Sequence, residues 1–60
     1  MTLEEAREKI GYIVEYSPYE NCPQNEKEYG IITSVNDYYV FVKYGTDFIS
    51  KATRPEDLKI

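Results

Sequence analysis

Residues 29–44, YGIITSVNDYYVFVKY, hold two runs rich in β-branched and aromatic residues on either side of the polar pair Asn36-Asp37. Such runs favour strands, and a short polar turn between two of them is typical of a β-hairpin. We therefore predict strands over 29–35 and 38–44, which makes the chain mostly β. Asn-Asp lacks the glycine that two-residue hairpin turns prefer, so the turn type stays open.

Side-chain alternation divides this hairpin into two faces if Val35 pairs with Tyr38. We predict that the core face carries Tyr29, Ile31, Thr33, Val35, Tyr38, Val40, Val42 and Tyr44. The other face is still apolar at three positions, so the N-terminal helix or a second copy must cover it. A homodimer would use the face made by Ile32, Tyr39 and Phe41.

The segments outside the hairpin complete a single domain over residues 1–60. Thr2 and Glu5 have the spacing of a helix capping box, and Gly11 is a natural stop, so we predict a helix over 3–9. The remaining β-rich segments are short and separated by turn residues. They predict strands over 12–16, 48–52 and 58–60, with a helical turn at 55–57 before the last.

Composition excludes several kinds of site. The chain has one cysteine, Cys22, and no histidine, so an internal disulfide and histidine-based catalysis are excluded and a zinc site is not expected. No cation flanks Cys22 to stabilise a thiolate. The neighbouring acids Glu4-Glu5 and Glu56-Asp57 stand where helix N-termini favour them. We expect no catalytic site, no metal and no cofactor.

The predicted order of elements resembles the SH3-like barrel family, most closely its Tudor and KOW types. Five short strands, a long first loop and a helical turn before the last strand carry the likeness, as does the closing segment 52–58. Segments 30–37 and 39–45 are similar to small uncharacterised proteins encoded by bacteriophages and prophages. The resemblance implies a five-stranded SH3-like barrel with a short N-terminal helix, acting in the cytoplasm of a bacterial host cell.

Tudor-like barrels use aromatic residues of the first loop and of the region between strands three and four to bind partners. The long polar loop 17–28 occupies the first of these places. The resemblance therefore implies a non-enzymatic module that binds a host or phage protein through loop 17–28 and the aromatic residues Tyr16, Tyr19, Tyr44 and Phe48. The competing interpretation is that Tyr16, Tyr44 and Phe48 pack in or beside the core, which leaves Tyr19 alone free.

The charged residues suggest two alternative functions. Lys43, Lys51 and Arg54 could form a small basic patch for RNA or DNA, or be ordinary surface charge. Residues 1–28 carry the whole net charge of −4, while residues 29–60 hold four acids and four bases. An acidic inhibitor of a host nuclease or defence protein is the second alternative. No apolar run approaches bilayer length, so we expect no membrane partner.

Overall fold

The computed structural model describes all 60 residues. One short helix, α1, precedes five strands, and two 3₁₀ turns lie in the connections. The helix is Leu3–Glu8; the strands are β1 Ile13–Tyr16, β2 Glu28–Val35, β3 Val40–Tyr44, β4 Lys51–Thr53 and β5 Leu58–Lys59; the turns are Gln24–Glu26 and Pro55–Asp57. The expected mostly β chain, with its helix and its turn before the last strand, is confirmed.

All five strands belong to one antiparallel sheet in the order β4-β3-β2-β1-β5. No ladder joins β4 to β5, so the sheet is open and these two strands form its edges. The 3₁₀ turn Pro55–Asp57 carries the chain from one edge to the other. The open side of the sheet is therefore spanned by a turn rather than by paired strands.

The helix begins with the predicted capping box. The Glu5 amide donates to Thr2 Oγ1 at 3.1 Å, and the Thr2 amide donates to Glu5 Oε1 at 3.2 Å. These two bonds satisfy amides that have no partner within the helix. A six-residue helix is unstable alone, and it is held here by Ala6, which is fully buried against the sheet.

The hairpin turn is longer than predicted. Val35 pairs with Val40 rather than with Tyr38, so four residues connect β2 to β3. Asn36 is the reason, because its Oδ1 accepts hydrogen bonds from the amides of Tyr38 and Tyr39 at 2.8 and 2.6 Å. An asparagine side chain that bonds to the backbone just ahead of it stabilises a turn at the expense of strand pairing.

A β-bulge in β2 corrects the predicted core face. The pairing with β3 shifts between Ile32 and Ser34, which leaves Thr33 unpaired. The inner face of β2 therefore carries Gly30 and Ile32, while Ile31 is 44% exposed. The predicted face was right for Val35, Val40, Val42 and Tyr44, which are buried or half-buried, and wrong for Tyr29, Ile31, Thr33 and Tyr38, which are exposed.

The predicted dimer face is not one surface. Ile32 has no exposed area and lies in the core, whereas Tyr39 is 43% exposed and Phe41 is half-buried on the outer side. The same bulge explains the difference, because a shift of one residue moves every following side chain to the opposite face. The core itself is a single cluster made of Ala6, Val14, Ile32, Val40, Val42, Tyr44 and Leu58.

The fourth strand lies further along the chain than predicted. It begins at Lys51 and not at residue 48, because its pairing starts with Lys51 opposite Val42. Residues 45–50 form a loop that turns at Gly45, where φ is +49°. Within that loop Phe48 is 97% exposed and Ile49 is 71% exposed.

Strand β3 packs closely against Gly30, and replacing this glycine with alanine tests the fold. A Cβ at this position would lie 2.6 Å from the Lys43 carbonyl oxygen and 2.6 Å from Val42 Cγ1. We expect Gly30→Ala to lower the free energy of unfolding by about 1–3 kcal/mol, because overpacked sites must displace backbone or side chains. Urea denaturation followed by circular dichroism measures the change.

Gly45→Asn is the matched control. Position 45 has no atom within 4 Å of a Cβ, and asparagine tolerates its positive φ better than other residues do. The free energy of unfolding of this variant should stay close to that of the parent. A Gly30→Ala chain as stable as the parent would contradict the close approach of β3 to Gly30.

Candidate functional site

A groove of about 350 Å³ with two tyrosines in its lining lies on the open side of the sheet. It lies between the end of β1, the start of β2 and the edge strand β4. Its lining, which we call the edge groove, consists of Tyr16, Pro18, Glu28, Tyr44, Lys51, Ala52, Thr53, Arg54 and Asp57.

Two tyrosines form the apolar wall of the edge groove. The ring centroids of Tyr16 and Tyr44 lie 5.8 Å apart with an interplanar angle of 59°, a tilted arrangement that aromatic pairs favour. Tyr44 is only 7% exposed, whereas Tyr16 is half-buried. Tyr16 therefore presents the accessible ring, and Tyr44 supports it from below.

The hydroxyl of Tyr44 has a buried partner. Its oxygen lies 2.8 Å from Thr53 Oγ1, which ties β3 to the edge strand through side chains as well as through the ladder. Burial raises the pKa of Tyr44 above its ordinary value, outweighing the hydrogen bond with Thr53. Tyr16, Glu28 and Asp57, which line the same groove, raise this pKa further.

The charged groups of the edge groove differ in whether they are paired. Lys51 Nζ lies 3.4 Å from an Asp47 oxygen, and Arg54 Nη2 lies 3.3 Å from Asp57 Oδ2. Glu28 makes no ion pair and no side-chain hydrogen bond. The groove therefore has one uncompensated charge, a carboxylate, next to its aromatic wall.

The register of the sheet explains why Glu28 lies here. Glu28 is directly opposite Tyr16 in the β1–β2 ladder. It shares the inner face of β2 with Gly30 and Ile32 by alternation, at the end of the strand where the core opens to solvent. A charge is tolerated at this position because the side chain is exposed.

The structure brings together two of the four predicted aromatic site residues. Tyr16 and Tyr44 are in contact, whereas Phe48 is almost fully exposed in the loop after β3. Tyr19 lies in a separate depression beside Cys22, and its hydroxyl donates a short hydrogen bond to Glu26. That bond raises the pKa of Tyr19 above its ordinary value.

The loop between β1 and β2 is held against the sheet by a polar network. Glu15 accepts hydrogen bonds from the hydroxyls of Tyr29 and Ser17, at 3.1 and 3.3 Å, and lies 3.7 Å from Lys27 Nζ. Desolvation opposes the charged form of Glu15, but these partners outweigh it and the pKa of Glu15 is lowered. Ser17 and Lys27, at the two ends of this loop, therefore have structural partners.

The three predicted basic residues do not form one patch. Lys51 and Arg54 line the edge groove, and Lys43 lies on the outer face of the sheet, paired with Ile31. The outer face there is a shallower, more apolar depression of about 210 Å³ that also contains Ile13 and Tyr29. Sequence reasoning named the two tyrosines of the edge groove and missed Glu28, since nothing short of the strand register places it there.

No group of three or more cysteine, aspartate or glutamate side chains is placed to hold a metal ion. The single thiol, Cys22, is buried, with its Sγ 3.6 Å from the carbonyl oxygen of Pro23. None of the helical segments has the length and apolar character needed to cross a bilayer. Comparison with family models, with curated proteins and with solved structures finds no match to this chain.

The buried phenol of Tyr44 makes stability depend on alkaline pH. Because folding raises its pKa above the ordinary 10.0, the protonated form is favoured in the folded chain. This contribution is complete below about pH 10 and is lost as the pH rises through the folded pKa. We expect the free energy of unfolding to fall more steeply above about pH 10 in the parent than in Tyr44→Phe.

The measurement is urea denaturation across the alkaline range, with Tyr38→Phe as control because Tyr38 is 75% exposed. At neutral pH, Tyr44→Phe should cost about 0.5–1.5 kcal/mol through the lost hydrogen bond to Thr53. Equal alkaline slopes in the parent and in Tyr44→Phe would contradict a buried phenol.

Proposed function

We propose that this chain is a small non-enzymatic protein-interaction domain of the SH3-like barrel type, and that its edge groove binds a basic side chain of a partner protein. The observation that carries the proposal is the unpaired carboxylate of Glu28 beside the half-buried, partly accessible ring of Tyr16. A carboxylate attracts an ammonium or guanidinium group, and a ring face adds about 0.5–2 kcal/mol when such a group lies over it.

The barrel assignment rests on connectivity. The strand order β4-β3-β2-β1-β5, the long connection after β1 and the 3₁₀ turn before β5 all fit the resemblance described above. In this proposal the turn Pro55–Asp57 closes the open side in place of a β4–β5 ladder. The leucine that follows it, Leu58, is 1% exposed and completes the core.

The same geometry gives less support to nucleic-acid binding. Lys51 and Arg54 already have carboxylate partners, and Lys43 lies on a different surface. The chain carries a net charge of −4, which opposes approach to phosphate backbones. The acidic-inhibitor alternative and the phage or prophage origin expected from the sequence stay predictions.

Peptide selection tests the proposed function directly. A displayed library of random linear peptides, panned against the intact chain, should yield binders enriched in lysine or arginine. The affinity of a selected peptide should fall about tenfold or more in Glu28→Gln, equivalent to about 1.4 kcal/mol. It should also fall as salt rises, because an exposed ion pair is screened. Isothermal titration calorimetry measures both effects.

Glu20→Gln is the matched control, since Glu20 is an exposed acid in the neighbouring loop and does not line the edge groove. Equal losses in Glu28→Gln and Glu20→Gln would mean that only the overall charge matters. A selection that yields no basic peptide would overturn the proposal.

A further inference from the structure

The edge groove runs along a strand whose outer side has no partner. β4 is an outermost strand of the sheet, and it pairs only with β3. Outside the ladders, no backbone–backbone hydrogen bond involves residues 51–53. The outward backbone groups of β4 are therefore free to bond with another chain.

Alternation along β3 identifies which groups these are. The Gly45 amide donates to the Tyr29 carbonyl, so the backbone of Gly45 points toward β2. Residues two apart on a strand point the same way, so Val42 and Tyr44 direct their backbone groups toward β4. Lys51 pairs with Val42, so the backbone groups of Lys51 are directed toward β3.

The backbone N–H and C=O of the residue after Lys51 must therefore point away from β3. Ala52 has its N–H and C=O directed away from the sheet, and its side chain is exposed. One donor and one acceptor of the same residue are thus available together at the edge. This pair is the unit by which an antiparallel strand adds to a sheet.

The lining of the edge groove follows the backbone of β4 rather than one of its faces. Four consecutive residues, Lys51 to Arg54, contribute to it. Side chains of a strand alternate between faces, so a depression on one face would be lined by every second residue. A depression lined by an unbroken run of residues lies alongside the strand, where an added strand would run.

From these observations we infer that the edge groove binds its partner as an extended peptide segment that adds to β4 as a sixth strand. The inference rests on the proposed function, because the segment's basic side chain is the one that reaches Glu28 and Tyr16. Backbone bonds to Ala52 supply the alignment, and the side chain that points into the groove supplies the selectivity.

A second copy of this chain is a poorer occupant than a peptide of a different protein. Pairing two β4 strands would bring together two copies of Lys51 and Arg54, and lysine on an edge strand opposes such pairing. Both of these basic residues are already paired with Asp47 and Asp57, so the β4 edge of a second copy offers no unpaired cation to Glu28. Each copy also carries a net charge of −4.

Amide hydrogen exchange of the intact chain, measured by NMR with and without a selected lysine- or arginine-containing peptide, tests the inference. The Ala52 amide should exchange freely in the unbound chain and at least about tenfold more slowly in the complex, because it then donates to the peptide. Unchanged exchange at Ala52 in a saturated complex would overturn strand addition.

Substitution at the same residue gives a second readout. Ala52→Pro removes an N–H that the sheet does not use, and proline is accepted at such positions of edge strands. It should weaken peptide binding about tenfold or more relative to Ala52→Val, which adds a side chain of similar size at the same position but keeps the N–H. Thermal unfolding verifies that both variants fold. If Ala52→Pro does not fold, the hydrogen-exchange measurement on the parent chain alone tests strand addition.

The two proposals fail differently. Binding that depends on Glu28 but not on the Ala52 N–H would overturn strand addition and leave the basic-side-chain groove intact. Binding that depends on the Ala52 N–H but not on Glu28 would support strand addition and overturn the proposed selectivity. A selection that yields no peptide at all would overturn both.

Discussion

The close approach of Tyr44 to Gly30 is the contact on which the rest of the sheet depends. The two residues are ladder partners, and a Cβ on Gly30 would lie 3.0 Å from Tyr44 Cδ1. The missing side chain leaves room for the Tyr44 ring in the core. From there Tyr44 reaches Tyr16 on β1 with its ring and Thr53 on β4 with its hydroxyl. One residue thereby links strands from the centre of the sheet to its edge.

That placement also defines the edge groove. The Tyr44 ring is almost entirely buried, so it acts as a floor that fixes Tyr16 above it, and Tyr16 keeps part of its ring accessible. The position of Glu28 follows from the β1–β2 register, which places this residue opposite Tyr16. An aromatic surface and an unpaired carboxylate are therefore neighbours because of packing constraints in the core, not because of any local sequence motif.

The class of fold could be predicted from local signals, whereas the buried and exposed faces of the β2–β3 hairpin could not. The capping box at Thr2 and the proline-led turn at Pro55 depend on neighbouring residues only, and both are present. The hairpin faces depend on register, which the side chain of Asn36 and the bulge at Thr33 each alter. Those two changes moved Ile32 into the core and left Tyr38 exposed, since a single inserted residue reverses the phase of a strand.

The exposed loop after β3 makes the chain susceptible to proteolysis at one place. Phe48 and Ile49 are exposed there, between a hairpin with long ladders and a pair of edge strands with short ones. A protease that cuts after aromatic residues would find Phe48 first. The nick would leave β4 and β5 joined to the helix and the hairpin only by non-covalent contacts, and with them the wall of the edge groove that β4 and the following turn provide. Limited digestion would therefore yield two pieces, each with one wall of the same cleft.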